Sequence, residues 1–417
     1  MGLKRLSIIL GLAAAGALPC FAASPRLLWK TKVGGRIYTS PVVCDLLPNP
    51  GFEIVVCASE DRNIVCLSAR GEVLWSFGEG FSGRLTPTPA AGDIDGDDNL
   101  EIVAGGGGRN LLCLDNWGKL RWRLKLEGEV DWSAPVIADL TGDGPAEIAV
   151  GTNAGFAYCV SAGGSVLWQQ KLGGSASFPL AIADLDGDGK KEVLAAADRS
   201  LFCLDHSGKT LWQFTTHTAC KGASVADIDR DGALDVVTAC DDQVMYCLDG
   251  KGNVKWAYHG GYSGGGSAGL IPPSLCDMDG DGRLEIIFGD SNGSVRCLDS
   301  EGKERWYFQT GWSVSTPPTI GDVDGDGQME VLAGFDDGAV LCLNGKPAVE
   351  WRFMTDFRVL SSPTLADVDS DGRVEVVVTS NDNYVYCLRP PGKVSSGKMP
   401  WPMARFDLGQ TGALTGR

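Results

Sequence analysis

The stretch "DLDGDGKKE", residues 184–192, sets Asp184, Asp186 and Asp188 at alternate positions and closes on Glu192. Carboxylates packed this densely repel one another unless a cation sits among them, and they are the hard oxygen donors that calcium takes. Acids at positions 1, 3 and 5 with Gly189 at position 6 follow the opening of a helix-loop-helix calcium loop. The spacing then departs from that motif: the last acid falls at position 9, and Ala195 stands at position 12, where a bidentate glutamate belongs. The apolar residues 193–196 that follow, ended by "DRS" at 198–200, predict a buried strand and a turn rather than a helix.

The same nonamer recurs along the chain. Its acids are Asp93, Asp95, Asp97 and Glu101; Asp139, Asp143 and Glu147, with Thr141 at position 3; and Asp227, Asp229, Asp231 and Asp235. Three further copies hold Asp277, Asp279, Asp281 and Glu285; Asp322, Asp324, Asp326 and Glu330; and Asp367, Asp369, Asp371 and Glu375. An eighth copy, "DLLPNPGFE" at 45–53, keeps both ends and loses the middle. Seven loops are therefore expected to hold Ca2+, up to seven ions, the 139–147 loop being the poorest in ligands.

A second mark keeps time with the first. Cys66, Cys113, Cys159, Cys203, Cys247, Cys297, Cys342 and Cys387 lie in strand-like runs, and in the first seven a tryptophan follows nine residues later, the period being 44 to 50 residues. Each unit reads as four short strands: one ending at the first loop Asp, one opened by the loop Glu, the Cys strand and the Trp strand. A four-stranded unit cannot bury both faces alone, so units must stack, and radial stacking leaves no long open edge. The fold class is all-β, an eight-bladed β-propeller of four-stranded antiparallel blades. Trp29 holds the Trp-strand phase ahead of the first unit, so this N-terminal strand is expected to complete blade eight and close the ring. The chain divides into residues 1–22, a signal peptide, and 23–417, a single propeller whose closing tail, 391–417, carries Trp401 over the seam.

The "DxDGDGxxE" loops resemble those of FG-GAP and VCBS repeats, found in the integrin α-subunit propeller and in bacterial secreted proteins. The "CLDxxGKxxW" segments, as at Cys203–Trp212 and Cys297–Trp306, resemble the tryptophan-docking motif of pyrroloquinoline quinone (PQQ) propellers. Together these resemblances cover roughly residues 29–390. The chain mostly lacks the Phe-Gly and Gly-Ala-Pro signatures of the integrin repeats, which argues against integrin-like ligand binding. The PQQ resemblance would imply a quinoprotein dehydrogenase with calcium, a vicinal disulfide, a tryptophan stacked on the quinone and a catalytic Asp. No two cysteines are adjacent here, and the blades consume most of the chain, which argues against PQQ.

The 417 residues include 57 Gly, as tight turns between short strands require, and carry a net charge of −17. The ligand positions of the seven loops hold 27 of the 53 acids, and seven divalent ions would bring the net charge to −3. No basic face or run is present to neutralise phosphates, so nucleic acid is excluded as a partner. Lys4 and Arg5 before the apolar run at 6–18, with Ala22 and Ala23 beyond it, predict an export signal. At 13 residues that run is short for a membrane span, and no transmembrane segment is expected after cleavage. The expected location is periplasmic or extracellular, and the expected state a monomer.

Fourteen cysteines in an exported chain raise the question of disulfides, but the regular spacing of the in-phase eight assigns them to buried packing between blades. One pair, Cys57 and Cys66, is placed symmetrically about a turn and is expected to face across a hairpin. The in-phase tryptophans read as caps on the gaps between blades. His206, His217 and His259 show no metal-ligand spacing, and no nucleophile-base pair stands out. The function expected is a binding, adhesion or scaffold module, with a quinoprotein oxidoreductase or a polysaccharide-active enzyme as the alternative. A protein or carbohydrate ligand would meet the face carrying the blade-to-blade loops, opposite the acidic loops. The candidates there are Trp132, Tyr262, Trp312, Phe357 and Arg358.

Overall fold

The computed structural model describes residues 24–79, 81–260, 269–392, 399–400, 402–403, 407 and 413–414. Residues 1–22, Cys20 among them, Tyr262 and Trp401 lie outside these, so the expectations placed on them lie outside the description too. Among the described residues there is no helix, and the strands form eight sheets. The chain is an eight-bladed β-propeller. Seven blades run in sequence order from inner to outer strand; blade one, for instance, is Val42–Cys44, Glu53–Ala58, Asn63–Leu67 and Val73–Phe77. Blade eight takes its first three strands from Thr364–Ala366, Glu375–Thr379 and Tyr384–Arg389, and its outer strand from Arg26–Lys32, paired antiparallel to the third. The expected N-terminal clasp is therefore present.

Burial follows from the stacking. The second strand of blade four, "EVLAAA", is buried throughout, since blades cover both its faces, whereas its outer strand, "TLWQFT", alternates between exposed and half-buried. The tryptophan of that outer strand, half-buried, joins one blade to the next. Trp29, Trp75, Trp122, Trp168, Trp212 and Trp256 each donate the indole N–H to a carbonyl in the third-to-fourth-strand turn of the following blade, at 2.7–3.1 Å. The turn glycine beneath each ring, such as Gly208 under Trp168, has positive φ and no room for a Cβ, which would lie 2.6 Å from Trp168 Cδ2. This explains the joint recurrence of glycine and tryptophan in "CLDxxGKxxW". Trp351 of blade seven is buried and its indole N–H has no partner among the described residues, because blade eight has its outer strand supplied by the N-terminus and so lacks that turn.

Inner strands are bound by a different device in half the ring. Ser224, Ser274, Thr319 and Thr364 donate their hydroxyls to the carbonyls of Pro273, Pro318, Pro363 and Pro41, each in the next blade, at 2.5–2.8 Å. The last of these bonds spans the seam between blades eight and one. Described parts of the tail reach inward: the Pro402 carbonyl accepts from Leu365 N–H in blade eight, and Ala413–Leu414 runs parallel to the inner strand of blade five. An inner strand has an unpaired edge toward the axis, and the tail supplies partners to it.

The tryptophan seat yields a measurable contrast. Gly208 and Gly173 have nearly equal φ, +84° and +85°, but a Cβ on Gly173 would meet nothing within 4 Å. Gly208→Ala is expected to lose more than about 2 kcal/mol of unfolding free energy and Gly173→Ala about 1 kcal/mol, read by urea denaturation.

Candidate metal loops and the opposite face

The acidic loops join the first and second strands of each blade. In all eight, the acid at position 9 turns back so that one oxygen accepts the backbone N–H of position 2, at 2.8–3.4 Å. In the seven acidic copies the aspartate at position 1 accepts the N–H of position 6 at 2.8–3.1 Å, which bends the loop inward at a residue of positive φ. Backbone donors thus lock the first and last carboxylates, leaving their remaining lone pairs directed at one point. Ligand oxygens of Asp93, Asp95 and Glu101, of Asp184, Asp186 and Glu192, of Asp277, Asp279 and Glu285, and of Asp322, Asp324 and Glu330 lie within 4.8 Å of one another. So do those of Asp227, Asp229 and Asp231. All-carboxylate sets of this size fit a hard divalent cation such as calcium.

The loops fall into two kinds, which the sequence expectation of seven equivalent sites did not separate. In four, a basic side chain of the same blade already bridges positions 3 and 9. Arg121 pairs with Asp95 and, at 2.6 Å, with Glu101; Lys255 pairs with Asp229 and Asp235, both at 2.8 Å. Arg305 holds Asp279 and Glu285 at 2.7 and 2.6 Å, and Arg389 holds Asp369, Asp371 and Glu375 at 2.7–2.9 Å. These partners hold Asp229 and Asp279 below the usual carboxylate range, hydrogen bonds from Lys255 and Arg305 being the main cause, while burial raises the position 9 acids Glu101, Asp235, Glu285 and Glu375 despite the bridge, Glu375 to about 7.

The remaining three loops have no such bridge among the described residues. Burial pushes Glu192 up to about 7 and Glu330 up to about 8, against the single N–H that each accepts from Leu185 and Val323. Glu350 adds a further negative charge beside Glu330. In the 139–147 loop Thr141 Oγ1 is buried without a hydrogen-bond partner among the described residues, an oxygen at position 3 suited to a cation. The degenerate loop of blade one needs no ion, since the Asn49 amide donates to Glu53 at 2.9 Å. A sequence signal for the basic bridges existed: "LRW", "VKW" and "ERW" set a base directly before the tryptophan, whereas "VLW", "TLW" and "VEW" do not.

Cysteines give a correction. Cys57 is in register with Ile64, and Cys66 with Val55, so the expected pair is offset by two residues and does not face across the hairpin. All thirteen described cysteines are buried and unbridged. The directly opposed pair is Cys220 and Cys240 in blade five, whose Sγ atoms lie 3.7 Å apart.

On the opposite face the blade-to-blade connections bring some candidates together. Trp132, 50% exposed, meets Tyr38 edge-on at 6.3 Å between centroids; the Arg84 guanidinium lies over Tyr38 and that of Arg36 over Phe357. Arg84, Thr86, Glu129 and Asp131 line a cleft of about 350 Å³ with Trp132. Thr86 is bonded to Asp131 at 2.9 Å. Trp312 is exposed on another connection, and Arg358 lies 4.0 Å from Asp336. Arg36, Tyr38 and Arg84 were not singled out by sequence, and what brings them to this surface is the approach of three connections distant in sequence.

Fold and loops together define an eight-bladed β-propeller with an acidic loop in seven of its blades. An FG-GAP-like repeat model matches residues 277–333, and a lambda-carrageenase β-propeller domain model matches 160–221 and 319–396. No curated protein matches the chain significantly. Among solved structures, the biofilm matrix protein Bap1 of V. cholerae superposes with a TM-score of 0.71 at 15% identity, covering 94% of this chain and 99% of its own. BamB from Moraxella catarrhalis gives 0.62 at 18% identity over 88% of this chain and 98% of its own. A europium-containing methanol dehydrogenase gives 0.61 at 12% identity over 85% and 84%. At these identities the likeness is one of fold.

Removing a bridging base strands a buried carboxylate. Arg305→Ala, measured in chelator, is expected to lose about 2–3 kcal/mol, because Glu285 is left unpaired. Arg283→Ala, whose only ion pair among the described residues is with exposed Glu301 at 4.0 Å, is expected to lose less than about 0.5 kcal/mol.

Proposed function

We propose that the chain is an exported, calcium-stabilised propeller that serves as a carbohydrate-binding module, with its ligand in the cleft beside Trp132. One observation carries the reading: a half-exposed indole, braced by Tyr38, stands next to the carboxylates and guanidinium of Glu129, Asp131 and Arg84. A sugar ring presents an apolar C–H face and a rim of hydroxyls, so an aromatic platform flanked by fixed donors and acceptors suits it. Two likenesses support this assignment, one to a lambda-carrageenase propeller domain and one to a biofilm matrix protein. Calcium belongs to the architecture in this reading. It ties down loops that would otherwise hold three or four mutually repelling carboxylates, on the face opposite the ligand.

Two experiments test the two halves of the proposal. A panel of acidic and neutral polysaccharides, followed by calorimetry with the best binder, is expected to show at least about tenfold weaker binding for Trp132→Ala and little change for Trp312→Ala. No polysaccharide binding, or stoichiometric uptake of added PQQ with a change in tryptophan fluorescence, would point instead to the quinoprotein alternative. For the metal, EDTA is expected to lower the melting temperature, since an ion bound only by the folded state at a hundredfold its Kd adds about 2.7 kcal/mol. Asp186→Ala and Asp324→Ala should each remove part of that drop; an unchanged melting temperature in chelator refutes calcium in the loops.

A further inference from the structure

The division of the acidic loops has a consequence for how many ions the ring can take. We propose that Arg121, Lys255, Arg305 and Arg389 are built-in counterions that replace a divalent metal, so that the loops at 93–101, 227–235, 277–285 and 367–375 take no calcium. The inference deepens the calcium reading above and rests on it.

Three observations support the assignment. First, each base contacts the oxygens a metal would need. Arg305 takes Glu285 Oε1, the oxygen left over once Oε2 has accepted the Met278 N–H, and it takes Asp279 as well. Calcium would have to displace this side chain and then sit beside its charge, because a ligand oxygen shared at 2.6 Å leaves the two cations within contact distance. Closeness of the acids alone does not distinguish the two kinds, since acids within 4.8 Å occur in both.

Second, the base recurs at one structural position. Arg121, Lys255 and Arg305 each directly precede the outer-strand tryptophan, where the three blades with no base across positions 3 and 9 among the described residues have Leu167, Leu211 and Glu350. The leucines are half-exposed and apolar, and Glu350 adds charge of the wrong sign for a counterion while offering calcium another carboxylate.

Third, blade eight reaches the same arrangement by another route. Its outer strand comes from the N-terminus and has Leu28 before Trp29, yet Arg389, at the end of the third strand, bridges Asp369, Asp371 and Glu375. The charge is supplied from a different strand to the same point, so it is a property of the loop's electrostatics rather than of one strand's composition.

Ion counting by native mass spectrometry, with Tb3+ luminescence titration as a second readout, tests the proposal on the full chain. The wild type should bind no more than three calcium ions, Lys255→Gln and Arg305→Gln should each bind one more, and Arg305→Lys, which keeps the charge, should add none. Chelator should destabilise Arg305→Gln more than the wild type, with calcium restoring it. More than three ions on the wild type, or no gain in either Gln variant, overturns the inference and leaves the calcium reading standing. No ion on any of the proteins overturns both.

Discussion

The ring depends on a contact between neighbours: the indole of one blade lying on a glycine of the next and donating to a carbonyl of the same turn. Among the described residues six such seats are formed, from Trp29 on Gly71 to Trp256 on Gly302. Apolar packing between sheets is tolerant of small sliding, whereas a hydrogen bond from a rigid ring fixes both the spacing and the rotation of one blade against the next. Because Trp29 belongs to the N-terminal strand, the same seat that spaces the blades also closes the circle. Where the chain runs out of turns, at Trp351, the indole is buried with no acceptor among the described residues.

That geometry gives the two faces different work. Loops between the first and second strands all emerge on one side, and there the chain concentrates carboxylates that only a counterion makes tolerable. Three kinds of compensation occur in one ring: an amide in blade one, a guanidinium or ammonium in four blades, and an arrangement suited to a metal in three. The acid at position 9 is kept in all eight because it has a second task, accepting the position 2 N–H and so holding the loop to the strand it begins. The other side carries connections of irregular sequence, and there Trp132, Tyr38 and Arg84 come from three different inter-blade connections to make one surface.

Much of this was legible in the chain alone. The nonamer, the in-phase cysteine and the tryptophan nine residues on determined blade number, strand order, the N-terminal clasp and the sidedness of the loops, because each is a local pattern repeated at a fixed period, and a repeat with an apolar core must stack on its copies. Tertiary structure decided what depends on register and on approach between segments distant in sequence. Cys57 and Cys66 flank a turn symmetrically, but the hairpin's register offsets them, while Cys220 and Cys240, twenty residues apart, are the ones opposed. Likewise each loop's acids are visible in nine residues, but the base that neutralises four of them lies 14 to 26 residues farther along and reaches back across the sheet. Composition counts charges; only the folded backbone sets which of them share a point in space.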